Sequence, residues 1–230
     1  MNSRLLKQCA AEFVGTFALI FVGIGAIANA TPTSGLGLLG IAFAHGLAIA
    51  VMVTATGAIS GGQLNPAVTF GLLVGGQMDV KKSIAYWIAQ LAGGTAAALL
   101  CIPLLGMSAV SGGTPDISLN GNGVPVVSTA HAIVIEAVLT FFLVFVVYGS
   151  AVDVRAPKIG GLAIGLTVAL DIMFGGPLTG AAMNPARTFG PALASGHWNN
   201  HIVYWVGPLA GGALAGLIYG RFLIRETSPA

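Results

Sequence analysis

Charge is what this sequence most lacks. Only 7% of its 230 residues are Asp, Glu, Lys or Arg, against about 25% in an ordinary soluble domain. That scarcity, with a mean hydropathy of +0.91, excludes a soluble globular protein. Disorder is excluded as well, because it needs low hydrophobicity and high charge, whereas 56% of this chain is hydrophobic. A net charge of only +2 argues against a nucleic-acid partner. Two cysteines, Cys9 and Cys101, are too few for a disulfide framework and read as inert small hydrophobes. Neither a metal-ligating cluster nor a catalytic nucleophile nor a nucleotide-binding loop stands out, so no enzyme, metal or cofactor is expected. Glycine, by contrast, is plentiful at 34 residues, as in closely packed membrane helices.

The missing charges leave long gaps. Sixty-six uncharged residues separate Glu12 from Asp79, 33 run from Ser83 to Pro115, and 33 from Thr188 to Gly220. A membrane-spanning helix needs about 20 apolar residues. The expectation is an all-α polytopic membrane protein. Six full spans are read at roughly 9–30, 37–57, 83–106, 129–151, 159–176 and 201–222, with turn-like breaks at Pro32 to Gly35, Gly112 to Pro125 and Arg155 to Lys158. The opening MNSRLLKQCAAEF does not read as a signal peptide, because Glu12 interrupts its apolar run and no cleavage site follows. Two further apolar stretches, Leu64 to Gly75 and Met183 to Ser195, have about 12 residues each. At 1.5 Å rise per residue such a piece reaches about half of a ~30 Å hydrocarbon layer. Two of them end to end make one span.

Basic residues fix an orientation. Arg4, Lys7, Lys81, Lys82, Arg155, Lys158, Arg221 and Arg225 all fall on one side of a six-span topology. The positive-inside rule makes that side, and both termini, cytoplasmic. The ninth basic residue, Arg187, lies within a half-span, where a cation is a functional residue by default.

The chain also repeats itself. GQLNPAVTFG (62–71) matches AAMNPARTFG (181–190), and AYWIAQLAGG (85–94) matches VYWVGPLAGG (203–212). Glu12, Thr16 and Phe17 match Glu136, Thr140 and Phe141. Within one transmembrane domain, 1–230, the copies run approximately 5–107 and 128–224. Each holds three spans and a half-span. Three is odd, so the second copy enters the membrane inverted, as in many transport proteins whose sites lie at the repeat interface near the midplane. The half-spans then enter from opposite faces and meet.

Each half-span opens on Asn-Pro-Ala: Asn65, Pro66, Ala67 and Asn184, Pro185, Ala186. Asparagine is a preferred N-cap and proline suits the first helical turn. Non-helical backbone at membrane depth is tolerated only against protein or a water-filled cavity. Two helix N-termini facing each other, each equivalent to roughly +0.5 charge, disfavour any cation. The asparagine amides are positioned to donate to a neutral molecule. A single triplet reads better as a merely capped helix start; the symmetric pair, each opening a half-span, points to a channel.

These paired boxes, with AEFVGTF (11–17) and YWVGPLAGGALAG (204–216), resemble the aquaporin (major intrinsic protein) family over nearly the whole chain. The resemblance implies a passive pore in each monomer of a homotetramer. It also implies a selectivity filter at four positions, which fall on His45, Ile172, Ala181 and Arg187, and a supporting role for Glu12 and Glu136. The His/Ile/Ala/Arg set departs from the common water-selective pattern of Phe, His, a small residue and Arg. It is more similar to the tonoplast aquaporins of plants, which pass water and, in several cases, ammonia, urea or hydrogen peroxide. Glycerol facilitators usually carry Asp after Asn-Pro-Ala-Arg and a basic residue four positions on; this chain has Thr188 and Ala192 there, and it keeps Tyr204-Trp205.

The expected function is therefore a passive water channel in a lipid bilayer, excluding protons and ions. Glycerol facilitation and proton-coupled transport through Glu12, Glu136 or Asp171 are the alternatives. His45, if it lines the pore, would make flux pH-dependent by titrating near pH 6.5. Short termini favour a cell (inner) membrane. Asp171 receives no role; a neighbouring subunit or a loop amide would be its partner. His131, His197 and His201 read as interfacial. Glycines spaced by four, Gly212, Gly216 and Gly220, and Gly161 with Gly165, read as close-packing faces.

Overall fold

The computed structural model describes residues 3–31 and 33–224. Pro32 and Arg225 lie outside the described residues. Six helices are long and apolar enough to cross a membrane: Ser3–Ala28, Gly37–Ser60, Val80–Leu105, Thr129–Val152, Gly160–Thr179 and Val203–Leu223. We label the α-helices in chain order: α1 Ser3–Ala28, α2 Gly37–Ser60, α3 Pro66–Val74, α4 Val80–Leu105, α5 Met107–Gly112, α6 Thr129–Val147, α7 Gly160–Thr179, α8 Pro185–Ser195 and α9 Val203–Ala215. The fourth and sixth spans are completed by wider π-helical turns, Tyr148–Val152 and Gly216–Leu223.

The outer surface is apolar. Leu47 and Val51 on α2, Leu162, Leu166 and Leu170 on α7, and Val206 and Leu214 on α9 are all exposed. In water that surface would be an aggregation site; in lipid it is the solvent-matched face. Hydrophobicity therefore does not drive the helices together. Close backbone approach does the work instead. Gly46 on α2 and Gly165 on α7 face one another, and a Cβ on either would collide with the other's carbonyl oxygen. On α9, a Cβ at Gly211 would collide with the Ala137 carbonyl of α6. The glycines spaced by four behave as expected: Gly212 and Gly216 press on the Ala67 and Gly71 carbonyls of α3, and Gly161 and Gly165 on α2.

Observed bounds differ from the sequence reading mainly at the ends. Helix α1 begins at Ser3 rather than near 9, carrying Arg4 and Lys7 within its first turns. Charge keeps a turn out of hydrocarbon; it does not stop the turn from being helical. Asp79 caps α4 by accepting from the Lys82 amide, so that helix starts at Val80. The stretch read as a plain break at Gly112 to Pro125 contains α5 and then a segment, 113–118, that turns inward. Past the fourth span, Asp153 binds the Arg155 side chain, and that guanidinium holds the carboxyl down at about 2.

Candidate functional site

The two half-helices, α3 and α8, meet at their N-termini in the middle of the bundle. Local chemistry explains both starts. Asn65 caps α3, its Oδ1 accepting from the Ala67 amide at 2.8 Å. Asn184 caps α8, accepting from Ala186 at 3.0 Å and Arg187 at 3.3 Å. Pro66 and Pro185 hold the first helical positions. Each asparagine then crosses to the other half: Asn65 Nδ2 donates to the Met183 carbonyl at 2.9 Å, and Asn184 Nδ2 donates to the Leu64 carbonyl at 3.0 Å. One hydrogen of each amide is thereby spent on locking the halves together. The other is free to serve the lumen, which both asparagines line.

The non-helical segment before each asparagine carries amides that must be satisfied away from water. Two buried carboxylates do this. Glu12 accepts from Ser60 Oγ at 2.6 Å, the Gln63 amide at 3.0 Å, the Leu64 amide at 2.6 Å and Gln90 Nε2 at 2.8 Å. Glu136 accepts from Thr179 Oγ1 at 2.7 Å, the Ala182 amide at 3.0 Å and the Met183 amide at 2.7 Å. Tyr86 and Tyr204 add matching bonds, donating to the Ser60 and Thr179 carbonyls, both at 2.8 Å. Both carboxylates are fully buried and occupied by donors, so neither faces the lumen as a free acid.

The lumen itself is narrow, about 30 Å³, and mostly aliphatic: Ile49, Val53, Val68, Leu143, Ile164 and Val168 line it with the two asparagines. At one end it opens into a vestibule of about 310 Å³. His45, Ile172 and Arg187 line both spaces, and Ala181 lines the lumen beside them. The four residues mapped from the family pattern therefore come together at the junction of lumen and vestibule.

Arg187 is held on two sides there. Its Nη1 donates to the Gly113 carbonyl at 2.8 Å, and its Nη2 lies 3.4 Å from His45 Nε2. His45 Nδ1 sits 2.8 Å from the Ile41 carbonyl. A carbonyl only accepts, so Nδ1 carries the hydrogen and Nε2 is the bare acceptor that receives from Arg187. A hydrogen on Nε2 would face another donor.

Sequence reasoning missed the segment that carries Gly113. It also missed Asp116, which the structure places at the vestibule wall. Asp116 Oδ1 accepts from the Ile117 amide at 2.7 Å and from Asn200 Nδ2 at 2.8 Å, while Oδ2 lies 2.8 Å from His197 Nε2. Burial pushes this carboxyl up, but the hydrogen bonds from Asn200, His197 and the Ile117 amide outweigh burial and leave it below its ordinary value. His197, read as merely interfacial, is thus tied to the pore mouth. No local sequence signal marks pairs 81 and 84 residues apart. Asp171 is completely buried, and neither of its carboxylate oxygens has a hydrogen-bond partner among the described residues. Of the two partners expected for it, a neighbouring subunit or a loop amide, no loop amide reaches it among the described residues.

Comparison with known proteins agrees with this architecture. A family model described as Major intrinsic protein matches residues 1–219. The chain is similar to Aquaporin TIP2-1 of Arabidopsis thaliana, 46% identical over 231 residues, covering 96% of this chain and 89% of that protein. It is 42% identical over 238 residues to Aquaporin TIP2-3 of Zea mays, covering 100% of this chain and 92% of that one. Among solved structures, the X-ray structure of the aquaglyceroporin from Plasmodium falciparum superposes with a TM-score of 0.80 at 26% identity, covering 95% of this chain and 97% of that chain. With the family model spanning nearly its whole length, the chain belongs to the major intrinsic protein family, the aquaporins.

Proposed function

We propose that this protein is a passive channel that passes water one molecule at a time and rejects protons and ions. One observation carries the reading: two asparagine-capped half-helices meet nose to nose inside a lumen of about 30 Å³. Their N-terminal dipoles set a positive potential at the narrow centre. Asn65 and Asn184 supply donors to a water oxygen, and the aliphatic wall supplies nothing else to bind. A water held by both amides turns its hydrogens outward, which interrupts a proton wire. Arg187 adds a fixed cation and further donors at the mouth, beside His45, Ile172 and Ala181, which together serve as the selectivity filter. Ammonia, urea and hydrogen peroxide are the small neutral solutes we assign as secondary substrates.

A proton-coupled transporter would need a free acid on the pathway. Glu12 and Glu136 are occupied as loop supports, and Asp171 lines neither the lumen nor the vestibule, which favours the channel. We further propose that residues approximately 5–107 and 128–224 form inverted repeats within one domain. The matching roles of Glu12 and Glu136, Ser60 and Thr179, and Tyr86 and Tyr204 support this. The face bearing Arg4, Lys7, Lys81, Lys82, Arg155, Lys158 and Arg221 is assigned to the cytoplasm. A homotetramer in a cell (inner) membrane is the proposed assembly and host. The similarity to plant aquaporins of the TIP series makes the vacuolar membrane the competing host, and fractionation of expressing cells separates the two.

Stopped-flow light scattering of proteoliposomes tests the function. The expected result is fast water flux of low activation energy, independent of a pH gradient, with glycerol slower than urea or ammonia. Water flux at the level of empty vesicles, or flux driven by a pH gradient, would overturn the proposal.

A further inference from the structure

A polar cluster lies behind the vestibule wall, to which it contributes Asp116: Asp116, His197, Asn200 and Ser111. We propose that Asp116 is a positioning residue for Arg187, fastening the segment that carries the Gly113 carbonyl to the loop that follows α8. This rests on the reading of Arg187 as a filter residue.

The argument is one of connectivity. Arg187 sits in the first turn of α8, and His197 and Asn200 lie just past its C-terminal end. Gly113 lies between Ser111 and Asp116. His197 reaches both of those flanks: its Nε2 is 2.8 Å from Asp116 Oδ2, and its Nδ1 is 3.4 Å from Ser111 Oγ. Asn200 adds a second donor to Asp116 at 2.8 Å. Both ends of α8 are therefore bonded to the same short stretch of chain. The start holds it through Arg187 and Gly113, and the end holds it through His197, Asn200 and Asp116.

Gly113 is tied to α5 on its N-terminal side: its amide donates to the Ala109 carbonyl at 2.9 Å, and Thr114 Oγ1 donates to the Val110 carbonyl at 3.0 Å. Beyond it, the segment is pinned by the Ser118 amide, which donates to the Leu178 carbonyl at 3.0 Å. Between those two points the Asp116 carboxylate ties the segment to the loop that follows α8. It accepts three hydrogen bonds, and bonds to an ionised acceptor are about twice as strong as neutral ones. Its oxygens are engaged by the loop partners. Its effect passes through the Gly113 carbonyl to the guanidinium. Loosening the tie lets that carbonyl drift and frees Nη1, so the filter loses its fixed width before it loses its wall.

The test uses the full chain in proteoliposomes, with urea and water permeability measured on the same preparations. Asp116→Ala is expected to raise the urea-to-water permeability ratio about threefold or more, the factor corresponding to one lost hydrogen bond. Water flux should stay within about twofold. Asp116→Asn is expected to restore most of the wild-type ratio. Its amide oxygen still accepts from Ile117 and Asn200, and its NH₂ can donate to the other tautomer of His197. On an Arg187→Val background, Asp116→Ala should add nothing, because the residue it positions is gone.

An unchanged ratio in a folded Asp116→Ala, an Asn variant as perturbed as the Ala variant, or additive effects with Arg187→Val would each overturn the proposal. If Asp116→Ala fails to fold, Asn200→Ala removes one of the three donors and must raise the ratio in the same direction, or the proposal falls. Arg187→Val without any effect on the ratio would sink the filter reading itself. Arg187→Val with an effect, beside an inert Asp116→Ala, would sink only the positioning role.

Discussion

Three residues past the cap of α3 the side chain is Val68; at the matching place on α8 it is Arg187. Both are buried and both line the lumen. Around them the two halves share nearly everything: an asparagine cap, a proline in the first turn, a carboxylate behind the loop and a tyrosine under it. The comparison separates two jobs. The shared parts solve a problem common to both halves, which is ending a helix in the middle of a membrane without orphaned amides. The parts that differ make one mouth of the channel unlike the other. Only the α8 side presents a guanidinium, and it has the Gly113 carbonyl, brought by the segment after α5, to hold it.

The largest effects should come from breaking what is shared. Glu12→Leu and Glu136→Leu each orphan two buried backbone amides and a hydroxyl. At about 1–3 kcal/mol for each unsatisfied group, either variant loses at least ~3 kcal/mol. Thermal unfolding of detergent-purified protein should show similar, large losses for both. A loss confined to one of them would mean that the two loops are not supported alike.

Next comes the part that differs. Arg187→Val makes the second half resemble the first. Folding should persist, because the change removes a buried charge together with its need for partners. Proton leak, read with a pH dye inside vesicles, should rise about tenfold or more above the wild type, the factor for ~1.4 kcal/mol taken off a barrier. Unchanged proton exclusion would place the whole electrostatic barrier at the half-helix dipoles, where the two halves are equal.

Asp171 offers a third contrast. Counted by the same offset that pairs Asn65 with Asn184, its partner position in the first half is Met52, which is apolar. Asp171 leaves two buried oxygens unbonded. Asp171→Leu replaces the two unbonded polar oxygens with an apolar group of similar volume and should raise stability by about 1 kcal/mol. A marked fall in melting temperature would show that the carboxylate has a partner, such as a bound water or a neighbouring subunit.

Much of this was legible in the sequence, and the reason is physical. Spans are written as long uncharged runs because lipid tolerates nothing else. The half-helices are written as Asn-Pro-Ala because a buried helix start needs a cap and a residue without an N–H. Glu12 and Glu136 betray themselves by being carboxylates in apolar runs. What stayed hidden depends on contacts between distant residues. Nothing near Asp116 says that it meets His197 and Asn200, and Met107 to Gly112 is too short and too mixed to declare itself a helix. The π-helical turns at Tyr148–Val152 and Gly216–Leu223 likewise lack a composition of their own.

The smallest predicted effect lies at Ala181, which differs by one methyl group from its counterpart Gly62 in the other loop. Gly62 and Ala181 occupy matching places, and both take left-handed backbone, with φ of 59° and 45°. Adding the methyl at Gly62 is costly on two counts. Left-handed backbone costs a residue with a Cβ about 1–2 kcal/mol, and the new Cβ would lie 3.0 Å from Thr56 Oγ1 and 3.1 Å from the Val53 carbonyl. Gly62→Ala should therefore destabilise by about 2 kcal/mol. Removing the methyl at Ala181 sets three terms against each other. Relief of strain returns about 1–2 kcal/mol, the looser unfolded chain takes back about 0.4–1, and the lost burial of one methyl takes about 0.8. Ala181→Gly should come out within about 0.5 kcal/mol of the wild type, a shift near the edge of detection by thermal unfolding. A loss as large as that of Gly62→Ala would mean that the Ala181 methyl is packed into the channel wall as a structural part, and that the strain it carries is the smaller term.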